Sequence, residues 1–113
     1  EIADTPEKHA KGLMGRVMLA EDKGMLFIFS DTKQRHFWMK NTYVPLDIMF
    51  IDENKKVTEI IQADPCTSDP CKIYSSRVPA KYVLEVNQGF AEAAGIKRRS
   101  TRDKRRGLAG NIY

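Results

Sequence analysis

The stretch His36-Phe37-Trp38-Met39-Lys40-Asn41-Thr42-Tyr43-Val44-Pro45-Leu46-Asp47 concentrates the side chains best equipped for chemistry. An amine, an amide, a hydroxyl and a carboxylate (Lys40, Asn41, Thr42, Asp47) follow closely on the large apolar side chains of Phe37, Trp38 and Met39. Extended backbone puts Phe37 and Met39 on one face and Trp38 and Lys40 on the other. Asn41 and Thr42 then bend the chain by bonding to local backbone groups, and Pro45 holds Val44 extended. Two readings follow. Either these groups line a polar recognition pocket, or Lys40 and Asp47 form an ion pair that closes the turn, as polar turn residues usually do.

The pocket reading gives a noncatalytic binding or accessory domain, whose partner is an unspecified small molecule or protein. The alternative is a small enzyme in which Lys40 is the electrophilic or proton-transferring group and Asp47 or Ser75 its partner. That chemistry requires burial, which lowers a lysine pKa.

Cys66 and Cys71 lie in a short loop that also holds Pro65 and Pro70, and the leading reading is a disulfide in an oxidising compartment. Zinc would need partners beyond these two thiolates, and His9 and His36 lack the paired spacing of a structural site. Met14, Met18, Met25, Met39 and Met49 each sit in an apolar context without a Met-x-Met cluster, so core packing is favoured over copper ligation. No metal and no cofactor are expected.

The elements that must position these groups are short. Thr5 is an N-cap and Pro6 a first helical residue for a helix running to about Leu13 or Met14, ended by Gly15. Met25–Phe29 is a continuous apolar run, read as a strand covered on both faces. His36–Met39 is a second strand, with turn chemistry over Ser30–Gln34 between them. Asp47–Ile51 and Val57–Ile61 flank the polar loop Asp52–Lys56 as a hairpin. Tyr82–Val86 is a further strand, and Gln88–Ala94 a second helix stopped by Gly95. The expectation is an α+β fold with a mostly antiparallel sheet, barrel-like closure protecting its edges.

The chain has 113 residues, 42% of them hydrophobic and 30% charged, which suits one globular domain. No apolar run approaches the length that spans a bilayer. The net charge of +4 is uneven, since Lys97 to Arg106 carries +6 and the rest −2. A mildly acidic body disfavours a dedicated nucleic-acid fold. The expected organisation is a β-rich, monomeric domain over 1–97 and a mobile basic tail over 98–113, the run Lys97 to Arg106 giving at most weak contact with nucleic acid or an anionic surface.

Seven ordered blocks carry a family resemblance: Gly12-Leu13-Met14-Gly15-Arg16, Gly24–Phe29, Phe37-Trp38-Met39-Lys40-Asn41-Thr42, Pro45-Leu46-Asp47-Ile48, Tyr74-Ser75-Ser76, Pro79–Val86 and Gly95-Ile96. Together they resemble the uncharacterised prokaryotic family known as domain of unknown function 192, over roughly residues 1 to 97. The resemblance implies a compact β-rich fold with no established activity, often behind an export signal. An extracytoplasmic location is therefore favoured over a cytoplasmic one. It also implies Arg16, Trp38, Met39, Lys40, Asn41, Thr42, Asp47, Ser75 and Glu85 as motif positions. The chain departs after Gly95-Ile96, where Lys97-Arg98-Arg99-Ser100 replaces the family's Gly-Asp turn.

Overall fold

The core of the molecule is built on strands whose two faces are both apolar. The computed structural model describes residues 1–98. The expected basic tail, apart from Lys97 and Arg98, lies outside the described residues. In chain order the elements are β1 (Ile2–Ala3), α1 (Pro6–Lys11), β2 (Gly24–Lys33), β3 (His36–Trp38), β4 (Leu46–Ile51), β5 (Val57–Ala63), β6 (Ile73–Ser75), β7 (Ala80–Asn87) and α2 (Phe90–Ala93). Five strands form one sheet in the order β1-β2-β7-β4-β5, and β3 pairs with β6 in a separate ribbon. Among the described residues only the β1–β2 pair is parallel. The α+β class holds, but the sheet stays open between edges β1 and β5 and does not close into a barrel.

All six residues of β4 are buried, so alternation along it feeds two cores. Leu46, Ile48 and Phe50 join Met25, Phe27 and Val83 on the first face, over which Leu13 and Met39 pack. Met49 and Ile51 join Leu26, Val57 and Val86 on the second, covered by Ala91 of α2. That double coverage explains why Met25–Phe29 reads as an unbroken apolar run.

Local chemistry sets the boundaries. Thr5 accepts a hydrogen bond from the Lys8 N–H at 3.2 Å and caps α1, as its sequence suggests. The helix ends earlier than Gly15, at Gly12, whose combination of φ 49° with ψ −132° is one that glycine adopts far more readily than residues with a Cβ. Asp52 Oδ1 accepts from the N–H groups of Asn54 and Lys56, both at 2.9 Å, and so builds the β4–β5 hairpin. β2 runs to Lys33, through residues whose composition suggests a turn, because β7 offers it a partner again at Ala80 after a register shift. Gly24 permits a close approach of β2 to β7: a Cβ there would lie 2.6 Å from the Glu85 carbonyl oxygen and 2.8 Å from Val86 Cγ1.

Candidate functional site

The first face of the sheet is incompletely filled. Between it, α1 and the β3–β6 ribbon lies a cavity of about 480 Å³, within the roughly 300–1,000 Å³ typical of small-ligand sites. Register explains its composition. Met25, Phe27 and Phe29 share one face of β2, and the neighbours of Glu85 across the sheet are Met25 and Ile48. Glu85 is therefore inserted into the apolar face and reaches the cavity.

Glu85 is 5% exposed, and its carboxyl has no hydrogen-bond or ion-pair partner among the described residues. Burial alone pushes its pKa up to about 8. In such surroundings ionisation costs more than it does in water.

The walls are aromatic. Phe27 and Phe37 pack edge to face with centroids 5.2 Å apart. The Phe29 ring lies 4.2 Å from the His9 ring and 3.8 Å beneath the Arg35 guanidinium. Arg35 is itself buried, donating to Ala80 O and Asp31 Oδ1, both at 2.9 Å. His9 Nε2 lies 2.9 Å from the carbonyl oxygens of both Ala3 and Ile28. Carbonyls only accept, so Nε2 carries the hydrogen and ties α1 to the sheet. Trp38 and Ile73, facing each other across the ribbon, are half exposed and also line the cavity.

The structure separates the residues singled out in the sequence. Trp38, Thr42 and Glu85 line the cavity. Lys40 is beside it, its ammonium 5.3 Å from the Trp38 ring centroid and 3.8 Å from Asp69 Oδ1. It is Asp69, and not Asp47, that pairs with this amine. Asp47 sits on the opposite face of the sheet, where Oδ2 accepts the N–H groups of Gly89 at 3.1 Å and Ala91 at 3.0 Å. Its Oδ1 is buried without a hydrogen-bond partner among the described residues.

Asn41 adopts φ 57° at the bend, and its carbonyl accepts the Gly15 N–H at 2.6 Å. Its contribution is a backbone shape, one that asparagine tolerates better than most residues. Arg16 forms a two-pronged ion pair with Glu1, away from the cavity lining; this pair holds the Glu1 carboxyl below its ordinary pKa. Ser75 Oγ lies 2.7 Å from Nδ1 of His36, its neighbour across the ribbon. The adjacent Ser76 is fully buried, its hydroxyl accepting the Arg35 N–H at 2.9 Å.

Cys66 and Cys71 form a disulfide with their Cα atoms 5.6 Å apart. The loop it closes carries Asp69, so the bridge lies behind the Lys40 contact. No three His, Cys, Asp or Glu side chains among the described residues gather as a metal site, and no helix among them is long and apolar enough to cross a membrane.

The chain matches the model of the family described as DUF192, "Uncharacterized ACR", over residues 1–101. It is similar to a solved structure from Sinorhizobium meliloti 1021 described as a candidate transcription regulator, with 41% identity, a TM-score of 0.80 and coverage of 87% of this chain and 74% of that one. It is also similar to a protein of unknown function from Novosphingobium aromaticivorans DSM 12444, with 38% identity, a TM-score of 0.79 and coverage of 86% and 68%. No curated protein matches it.

Proposed function

We propose, for a chain that belongs to the DUF192 family and so inherits no established activity, that it is a noncatalytic ligand-binding domain whose site is the cavity floored by Glu85. One observation carries the reading: a buried carboxyl without a partner among the described residues opens into an aromatic-walled cavity. Leaving a polar group unpaired in apolar surroundings costs roughly 1–3 kcal/mol; none of the described residues bonds to the Glu85 carboxyl, whereas a ligand in the cavity would.

The recognition surface differs from a Trp38–Asp47 pocket. Trp38 and Thr42 remain in it, Lys40 flanks it, and Asp47 belongs to the framework. Met39 is 2% exposed and lines the cavity, so its ε-methyl resonance reports on occupancy. Titration with 2-phenylethanol, a neutral probe with an aromatic body, should shift that methyl and quench Trp38, the single tryptophan. Unchanged spectra at millimolar probe would dismiss the cavity as a binding site.

A second reading rests on the Ser75–His36 hydrogen bond, the arrangement in which a base activates a hydroxyl nucleophile. It takes the chain as a hydrolase of small esters. Turnover of p-nitrophenyl acetate lost in Ser75→Ala would favour it, and equal background rates for both proteins would remove it.

A further inference from the structure

Among the described residues, none brings a positive charge to the buried part of the cavity. Phe27, Met39 and Glu85 are at most 5% exposed, and they present a ring, a thioether and a carboxyl. The cationic or protonatable groups that share the lining are Lys11 and His9 of α1 and His36 of β3. Lys11 and His36 are exposed, and the proton on His9 Nε2 is committed to two carbonyls. None of these groups pairs with Glu85, and β2, β4, β6 and β7 contribute no other titratable side chain to the cavity. Aromatic rings attract cations through their quadrupole, and a carboxylate completes the complement of an ammonium.

We infer that the ligand's polar head is an organic ammonium, seated on the Glu85 carboxyl with its apolar body against Phe27, Phe37 and Trp38. This deepens the proposed binding function and rests on it. An anionic head would meet only the carboxyl and the rings at this depth, and a neutral one would forgo the charge complement.

Proton balance gives the inference a second signature. At neutral pH Glu85 is mostly protonated. Formation of the ammonium–carboxylate pair therefore expels that proton to solvent, while a neutral ligand expels none.

The test is a matched series on one apolar body: 2-phenylethylammonium, 2-phenylethanol and phenylacetate, titrated at pH 7 against Trp38 emission and the Met39 methyl. The ammonium should bind at least about tenfold more tightly than the alcohol, and Glu85→Gln should erase that preference. Calorimetry of the unsubstituted protein in two buffers of different ionisation enthalpy should show proton release for the ammonium alone, which keeps the test independent of whether the variant folds. Equal binding of alcohol and ammonium, or tightest binding of phenylacetate, would overturn the cationic assignment and leave the binding cavity standing. Failure of all three probes to bind would overturn both.

Discussion

Asp47 and Glu85 are diagonal neighbours across the β4–β7 ladder, Asp47 lying opposite Val86 and Glu85 opposite Ile48, yet they project to opposite faces of the sheet. One carboxylate is bonded to two backbone N–H groups, and the other has no partner among the described residues. The same functional group is framework in one position and candidate site in the next.

Asp47 holds the turn between β7 and α2, so its removal strands the Gly89 and Ala91 N–H groups. Asp47→Ala should cost about 2–4 kcal/mol, measured by urea denaturation, and should leave the Met39 methyl response to 2-phenylethanol unchanged in the folded fraction. Lys40→Ala, which removes an exposed pair with Asp69 and a surface contact with the Trp38 ring, should shift stability by less than about 1 kcal/mol.

Glu85 sets a pH dependence of unusual sign for a carboxyl. Burial raises its folded pKa to about 8 from the ordinary 4.5, so between those values the unfolded chain has released a proton that the native chain keeps. Stability should therefore fall as pH rises through this window, by on the order of a few kcal/mol, and level off above it. Glu85→Gln should flatten the slope. Thermal melting of both proteins from pH 4 to 9 isolates the difference, because the two proteins share every other ionisable group. A slope retained in Glu85→Gln would assign it elsewhere.

Asn41 gives a backbone test. At φ 57° a β-branched side chain is strained, so Asn41→Val should destabilise by about 1–2 kcal/mol. Asn41→Gly should stay within about 0.5 kcal/mol, since glycine adopts this conformation freely. Chemical denaturation of the pair separates a shape requirement from a side-chain contact.

The disulfide spans a sequence separation of five residues, for which loop entropy is worth about 2 kcal/mol in the chain-entropy model. Replacing both cysteines by serine should lower stability by that amount. It should also loosen Asp69 from Lys40, which is readable as altered Trp38 emission.

Much of the frame could be read from the residues alone because its signals are local. Thr5-Pro6 marks the start of α1, and Asp52–Lys56 carries the turn chemistry of the β4–β5 hairpin. Glu85 was legible only as a motif position, for what isolates its carboxyl is contributed by strands distant in sequence. β1 and β6 are two and three residues long and owe their extension to partners, so no periodicity announces them. The cavity depends on a face shared by Phe27, Phe29, Phe37 and Met39. Alternation along each strand hints at such a face, and only the packing of α1 and the ribbon over it shows where it fails to close. Lys40 and Asp47 are close in sequence, but Asp47 follows a bend and enters a strand that turns it to the other side.

Gly24 connects that frame to the cavity. Because the β2 backbone rests against the carbonyl of Glu85 with no side chain between them, a methyl group at residue 24 would wedge the two strands apart beneath the acid. Affinity could thus be tuned from outside the cavity, through the tilt of one strand, with every wall residue left in place.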